Sequence, residues 1–282
     1  MTVYLLPNTQ KPEAMQMAGK VGNILSQAGI RLVMDKLGSS LAPQGDHVAI
    51  LPEDQAYREC DIVVTLGGDG TMLHAAHKIM NNQKPLLGIN IGRLGFLTCV
   101  ESNELHLLNR LASGDYHVEH RSVLQASVDN AENAPYLAWN DVVLFKKYPE
   151  RTITLDIYCD DILVSQFRGD GVIFSTPTGS TAYSMSAGGP IVDARLNGVV
   201  VTQICAHIGQ TPPLVFASDR TLQVVPHGKL DERVAIICDG TNYHTVGPGE
   251  AITIRQSERT VPLVQFSKAK QLESIDRKLK GR

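Results

Sequence analysis

Apolar positions along the chain follow two periods, and the change from one to the other falls near residue 115. Before it, short apolar runs alternate with segments of helical spacing. "VYLL" at 3–6 reads as a buried strand; Ala14, Met17, Val21, Ile24, Leu25 and Ala28 then recur at helical intervals, and Gly29 supplies a stop. "IRLVM" resumes as a strand, and "DIVVTL" (61–66), "TMLHAAHKIM" (71–80) and "PLLGINIG" (85–92) repeat the order strand, helix, strand. Strands separated by crossover helices predict a doubly wound parallel α/β domain over residues 1–115.

Beyond that point the period shortens to 2. Ile153, Leu155, Ile157 and Cys159 alternate with Thr152, Thr154, Asp156 and Tyr158 before a turn-like Asp160-Asp161 pair. "RVAIICDG" and "AITIRQSERTVPLVQF" continue in short strands, so residues 116–266 are expected to form an antiparallel β-sandwich. The tail, 267–282, is polar and helix-compatible; taken alone it reads as a solvated terminus.

Composition narrows the function classes. At 282 residues, 43% hydrophobic and 20% charged, the chain is long enough for two separate cores. A formal net charge of -3 provides no basic field, which argues against nucleic acid or an acidic membrane surface as partner. The five cysteines are odd in number, widely spaced and without a C-x-x-C pair; they are expected to be reduced core residues rather than disulfides or zinc ligands. With no signal-like start and no membrane-spanning apolar run, a cytoplasmic location is expected.

Two glycine-rich loops carry the candidate chemistry. "LGGDGTMLHAAH" (66–77) turns from a strand into a helix N-terminus, where free backbone N–H groups and the helix dipole favour phosphate. It matches neither G-x-x-x-x-G-K-[ST] nor G-x-G-x-x-G. Asp69 would repel a phosphate at the loop, so a functional carboxylate there must face a hydroxyl about to become a nucleophile, or a divalent cation. The alternative is a tight turn with an Asx hydrogen bond. His74, four residues into the helix, is a possible phosphate contact or simply a surface residue.

"RGDGVIFSTPTGSTAYSMSAGGPIVDA" (168–194) sets Thr176, Thr178, Ser180, Thr181, Ser184 and Ser186 among glycines next to an apolar strand. Small hydroxyl residues can grip ribose and phosphate oxygens at close range. Tyr183 could stack on a base, Arg168 offers a phosphate fork, and Asp170 could accept from a ribose or amide. Asn140-Asp141 interrupts the apolar run "YLAWNDVVLF"; the pair either satisfies a bulge or lines a site.

These stretches together resemble the bacterial NAD kinases, which phosphorylate the adenosine-ribose 2′-hydroxyl of NAD to give NADP. The resemblance is carried by "GGDGTM" (67–72), "GINIGRLGFLT" (88–98), "WNDVVL" (139–144) and "GDGVIFSTPTGSTAYSMSAGGPI" (169–191). It implies that Asp69 is the general base, with Gly70 beside phosphate and ribose, and that Asn140 and Asp141 form the pair holding the dinucleotide. Arg168, Asp170, Thr178, Thr181, Ala182, Tyr183 and Ser186 fall on NAD-binding loops; His74, Arg151 and Ser184 complete the candidate binding set. NAD and ATP, or polyphosphate in place of ATP, would be the substrates, with magnesium carried on the ATP phosphates and no metal residue in the chain. The resemblance also implies a homo-oligomer, a dimer or tetramer, and a tail 267–282 that returns to complete the first domain. Departures are local: Asp141 stands where glutamate is commoner, 202–216 lacks the prolines of T-P-I-C-P-H, and Thr241 follows "CDG" where glutamine is common.

Two alternatives stay open at this level. A lipid kinase shares the Gly-Gly-Asp-Gly turn, although no amphipathic membrane segment is evident. A non-catalytic dinucleotide sensor is the other, against which stands the cost of a buried carboxylate beside phosphate.

Overall fold

The structure is a computed structural model. It describes all residues except 39–46, 93–94, 130, 132–133, 230–231 and 281–282, and no side chain of Asn242, Lys278 or Leu279. Arg93 and Leu94 of the 88–98 motif and the last two tail residues therefore lie outside the described residues. The chain divides into two compact units, residues 1–120 with 260–282, and 121–259.

The first unit alternates strands and helices. In chain order it contains β1 (Thr2–Pro7), α1 (Pro12–Gln27), β2 (Arg31–Met34), β3 (Val48–Ile50), α2 (Glu53–Glu59), β4 (Ile62–Gly67), α3 (Asp69–Ile79), β5 (Leu86–Asn90), β6 (Val100–Glu101) and α4 (Asn109–Ala112). The strands lie in the order β5-β4-β1-β2-β3, all parallel, with β6 also parallel to β5. Successive strand side chains point to opposite faces. Val3 and Leu5 of β1 therefore join Ala14, Ala18, Val21 and Leu25 of α1 in one core, with Leu111 of α4. Tyr4 points the other way and meets Tyr57 of α2 edge-on, 5.0 Å between ring centroids. Helices on both faces make the sheet doubly wound. Pro12 opens α1 and Gly29, at φ +76°, follows its end in a conformation that favours glycine.

The second unit is built from β7 (His117–Val128), β8 (Tyr136–Ala138), β9 (Asp141–Lys146), β10 (Ile153–Cys159), β11 (Ile162–Gly169), β12 (Gly171–Ser175), α5 (Tyr183–Ser186), β13 (Gly198–Ile204), β14 (Leu214–Ala217), β15 (Leu222–His227), β16 (Val234–Cys238), β17 (Thr241–Val246) and the start of β18 (Ile252–Gln265). One antiparallel layer runs β11-β10-β15-β18; the other runs β14-β13-β12-β9-β16-β17. Leu155, Ile157, Val224 and Ile254 of the first layer share a buried core with Leu144, Phe174, Val201 and Ile236 of the second, which is a sandwich. Asp160 and Asp161 both adopt positive φ, +46° and +66°, the geometry of a tight β10–β11 hairpin turn.

Two features, at Asp156 and Cys205, differ from the sequence reading. The alternation in β10 is broken by Asp156, which is buried and held by Gln166 Nε2 at 2.8 Å and His227 Nε2 at 2.7 Å. The compact units divide at 259/260 within β18, whose last part pairs with β5, Leu263 opposite Leu86. Cys205 is exposed, not a core residue; it stands just past the end of β13 at φ +47°, while the other four cysteines are buried and all five are free. The tail forms α6 (Lys270–Leu279), tied to the first unit by Lys270 Nζ to Glu104 Oε2 at 2.8 Å. Among the described residues no helix is long and apolar enough to cross a membrane.

Candidate functional site

In the first unit, wholly buried β4 delivers the chain to Gly67, where a side chain would collide with that of Thr71 one helical turn ahead. The chain turns at Gly68 and α3 starts at Asp69, two residues earlier than the apolar pattern alone indicates. Asp69 thus sits in the first helical turn, where the dipole favours a carboxylate. Its Oδ2 accepts the backbone N–H of Phe96 at 2.9 Å and its Oδ1 that of Leu97 at 3.1 Å. Each oxygen keeps a second lone pair for another donor.

Beside this turn, where β1, β2 and β3 end, opens a cavity of about 890 Å³ lined by Asn8, Gln10, Asp35, Lys36, Glu53, Gly70, Thr71 and His74 among others. Asn8 Nδ2 donates to Thr71 Oγ1 at 3.2 Å, fixing the wall next to the glycine turn. His74 is exposed on this wall. A crevice outside the carboxyl ends of parallel strands is where open α/β sheets bind ligands.

In the second unit, Asn140 stands at the bend between β8 and β9 and Asp141 opens β9. The segment packs on the loop after β12: Thr176 Oγ1 donates to Trp139 O at 2.6 Å, and Thr176 N to Asn140 O at 2.9 Å. A methyl group at Gly179 would overlap the Asn140 carbonyl, so only glycine lets the two segments close. Residues 171–180 are buried throughout. Within this packed loop the Thr178 hydroxyl has no hydrogen-bond partner among the described residues, an unmet polar group of the kind a ligand satisfies. Tyr183, which opens α5, is 42% exposed and directs its backbone N–H to the Asp141 carboxylate. Burial, with the nearby Asp239 charge adding to it, pushes the Asp141 carboxyl up to about 7.

The ATP-NAD kinase N-terminal domain matches residues 3–116, and the ATP-NAD kinase C-terminal domain matches 139–266. The chain belongs to the ATP-NAD kinase family. The NAD kinase of Prosthecochloris aestuarii is 34% identical over 99% of this chain and 96% of its own, and that of Thermococcus kodakarensis 37% over 92% and 91%. Two solved structures share the fold. Yeast NADH kinase complexed with NADH has a TM-score of 0.88 at 24% identity, covering 99% of this chain and 87% of that one. An Archaeoglobus fulgidus NAD kinase in complex with ATP has 0.76 at 23%, covering both chains fully. As a family member the protein is a phosphotransferase enzyme, a kinase.

For an NAD kinase, the candidate residues fall into distinct groups. Asn140, Asp141, Thr178, Thr181, Ala182 and Tyr183 come together around the bend and α5, and Ser186 is exposed at the end of that helix. Thr181 donates its hydroxyl to Thr178 O at 3.3 Å. Ser184 is fully buried, its hydroxyl 3.0 Å from Thr202 Oγ1, so its side chain packs α5 onto β13. Asp170 is not a free acceptor, because Lys146 Nζ lies 2.7 Å from its Oδ1. Arg168 is exposed with Nε donating to Thr152 Oγ1 at 2.7 Å, and Arg151 is exposed before β10. The sequence analysis did not single out Lys146 or Asp239, which pair with Asp170 and with the backbone of Asn140 and Asp141. Thr176 was visible as one hydroxyl among six; Asp239 and Lys146 gave no local signal, since their partners lie far along the chain.

Proposed function

We propose that the protein transfers the terminal phosphoryl group of ATP to the 2′-hydroxyl of the adenosine ribose of NAD, giving NADP. The observation that supports this most directly is the carboxylate of Asp69, fixed by two backbone N–H groups at the head of α3, in a chain whose halves match both ATP-NAD kinase domains. In this reading Asp69 accepts the proton of the ribose hydroxyl as its oxygen bonds to phosphorus, while the bridging P–O bond breaks and ADP leaves. Such a base contributes about 10²- to 10⁴-fold in rate, the remainder coming from positioning and charge neutralisation.

The dinucleotide is assigned to Asn140, Asp141, Thr178, Thr181, Ala182, Tyr183 and Ser186, with Arg151, Arg168 and Asp170 at the edge. The phosphoryl donor is assigned to the cavity beside Gly70, Thr71 and His74, with its phosphates toward the N-terminus of α3. Polyphosphate, which has no base to seat there, is the weaker donor in this assignment. Among the described residues no cluster of three or more His, Cys, Asp or Glu side chains is arranged to hold a metal ion. Magnesium is assigned to the ATP phosphates, whose charge it would neutralise. A cytoplasmic homo-oligomer, dimer or tetramer, completes the proposal by analogy with the family.

The test is to incubate the purified protein with ATP, magnesium and NAD and detect NADP with an NADP-specific dehydrogenase, with Asp69→Asn alongside. NADP formation that collapses in the variant supports both donor and base; binding of NAD without turnover in the wild type refutes the kinase assignment.

A further inference from the structure

The backbone of residues 139–141 has every polar group engaged. On one side the carbonyls of Trp139 and Asn140 accept from Thr176, and that of Asp141 accepts the N–H of Asp239 at 3.0 Å. On the other, all three N–H groups converge on the Asp239 carboxylate: Trp139 N to Oδ2 at 2.7 Å, Asn140 N to Oδ1 at 2.8 Å and Asp141 N to Oδ1 at 3.1 Å. Asp239 reaches this position from the β16–β17 turn, where it adopts φ +49° and Gly240 φ +79°. Hydrogen bonds to a charged acceptor are roughly twice as strong as neutral ones, and three to one carboxylate leave the segment little freedom.

We infer that Asp239 is a positioning residue for the dinucleotide: it fixes the backbone at the β8–β9 bend so that the side chains of Asn140 and Asp141 are presented together to the substrate. With all its main-chain groups satisfied internally, the segment offers a ligand only side chains. The strained turn conformation of Asp239 is compensated by those three bonds, which a merely apolar turn would not need. The same carboxylate lies close enough to oppose ionisation of Asp141, alongside burial, while the Tyr183 N–H favours it; the other titratable groups facing Asp141 are the Cys238 thiol and the Tyr183 hydroxyl. Asp239 therefore holds its neighbour in place and adds to the burial that raises the Asp141 carboxyl. This inference rests on the assignment of Asn140 and Asp141 to NAD.

Steady-state kinetics with varied NAD across pH, for the wild type, Asp239→Asn and Asp141→Asn, test it. Asp239→Asn should raise KM for NAD about tenfold with kcat within about threefold, and move the pH midpoint of KM to lower pH; Asp141→Asn should abolish that midpoint. A loss of folded protein alone would lower apparent kcat and leave KM and midpoint in place. A folded Asp239→Asn with KM within twofold of wild type and the same midpoint overturns the inference. If that variant does not fold, amide exchange in the wild type decides: slow exchange at Asn140, outside any strand, is expected, and exchange as fast as in open loops overturns it. Should the wild type bind NAD without making NADP, the kinase assignment fails alone, and the same comparison is read as Kd for NAD.

Discussion

The carboxylate of Asp69 and the backbone of Phe96 are joined by an N–H···O bond of 2.9 Å, with the Leu97 N–H adding a second at 3.1 Å. The carboxylate at the head of α3, the proposed base, is therefore aimed by a loop 27 and 28 residues away, not by its own turn. Gly95 precedes that loop's two donors, and a Cβ there would run into Asp69 Oδ1.

Gly95→Ala should for this reason displace the carboxylate while leaving the sheet intact. We expect kcat to fall about 10²-fold, the cost of misplacing a catalytic group by an ångström, with a melting temperature within a few degrees of wild type. Turnover and thermal unfolding measured on the same preparation check this; full activity would show that the loop yields instead.

Asp69→Asn replaces one acceptor oxygen by an NH₂ group that faces a backbone N–H. Turnover should drop about 10²- to 10⁴-fold while NAD affinity changes only a few-fold, since the residue acts on the proton rather than on the ground state. Isothermal titration with NAD and initial rates with ATP separate the two quantities.

Asp141 gives a pH signature in stability. Its folded-state pKa, about 7, lies above the value in an unfolded chain. The folded form therefore favours the proton: the associated stability is complete below the unfolded pKa and is lost as pH rises through about 7. The loss is on the order of 4 kcal/mol at most. Denaturant titrations at about pH 5 and pH 8 should show wild type losing stability relative to Asp141→Asn at the higher pH. Parallel behaviour of the two proteins would contradict the shift.

Thiol chemistry should single out Cys205. Burial pushes the Cys60 thiol up to about 11 and that of Cys99 up to about 12, and it also raises Cys159 and Cys238. An aromatic disulfide reagent at neutral pH is expected to label one thiol per native chain rapidly and the other four only in denaturant. Rapid labelling of two or more would mean that a core strand opens.

Much of the fold was legible in local pattern. α1 was readable from Ala14, Val21 and Leu25, which are buried, and the β10–β11 turn from Asp160-Asp161, because periodicity and turn chemistry act over a few residues. The candidate site was legible where a motif is contiguous, as around Asp69 and in 176–183. Not legible were the packing of Ser184, whose hydroxyl meets Thr202 of a neighbouring strand, and that of Asp156, which looked solvent-facing but is buried with Gln166 and His227.

The sequence by itself determined the two architectures, the glycine turns and the family resemblance, because hydrophobic period, turn residues and contiguous motifs are properties of neighbours along the chain. Only the tertiary structure decided which polar groups are spoken for: that Lys146 takes Asp170, that the 96–97 backbone holds Asp69, and that Asp239 gathers the amides of 139–141 from 98 to 100 residues away. Hydrogen-bond partners are chosen by proximity in space, and strand pairing brings together residues whose separation in sequence carries no trace of the contact.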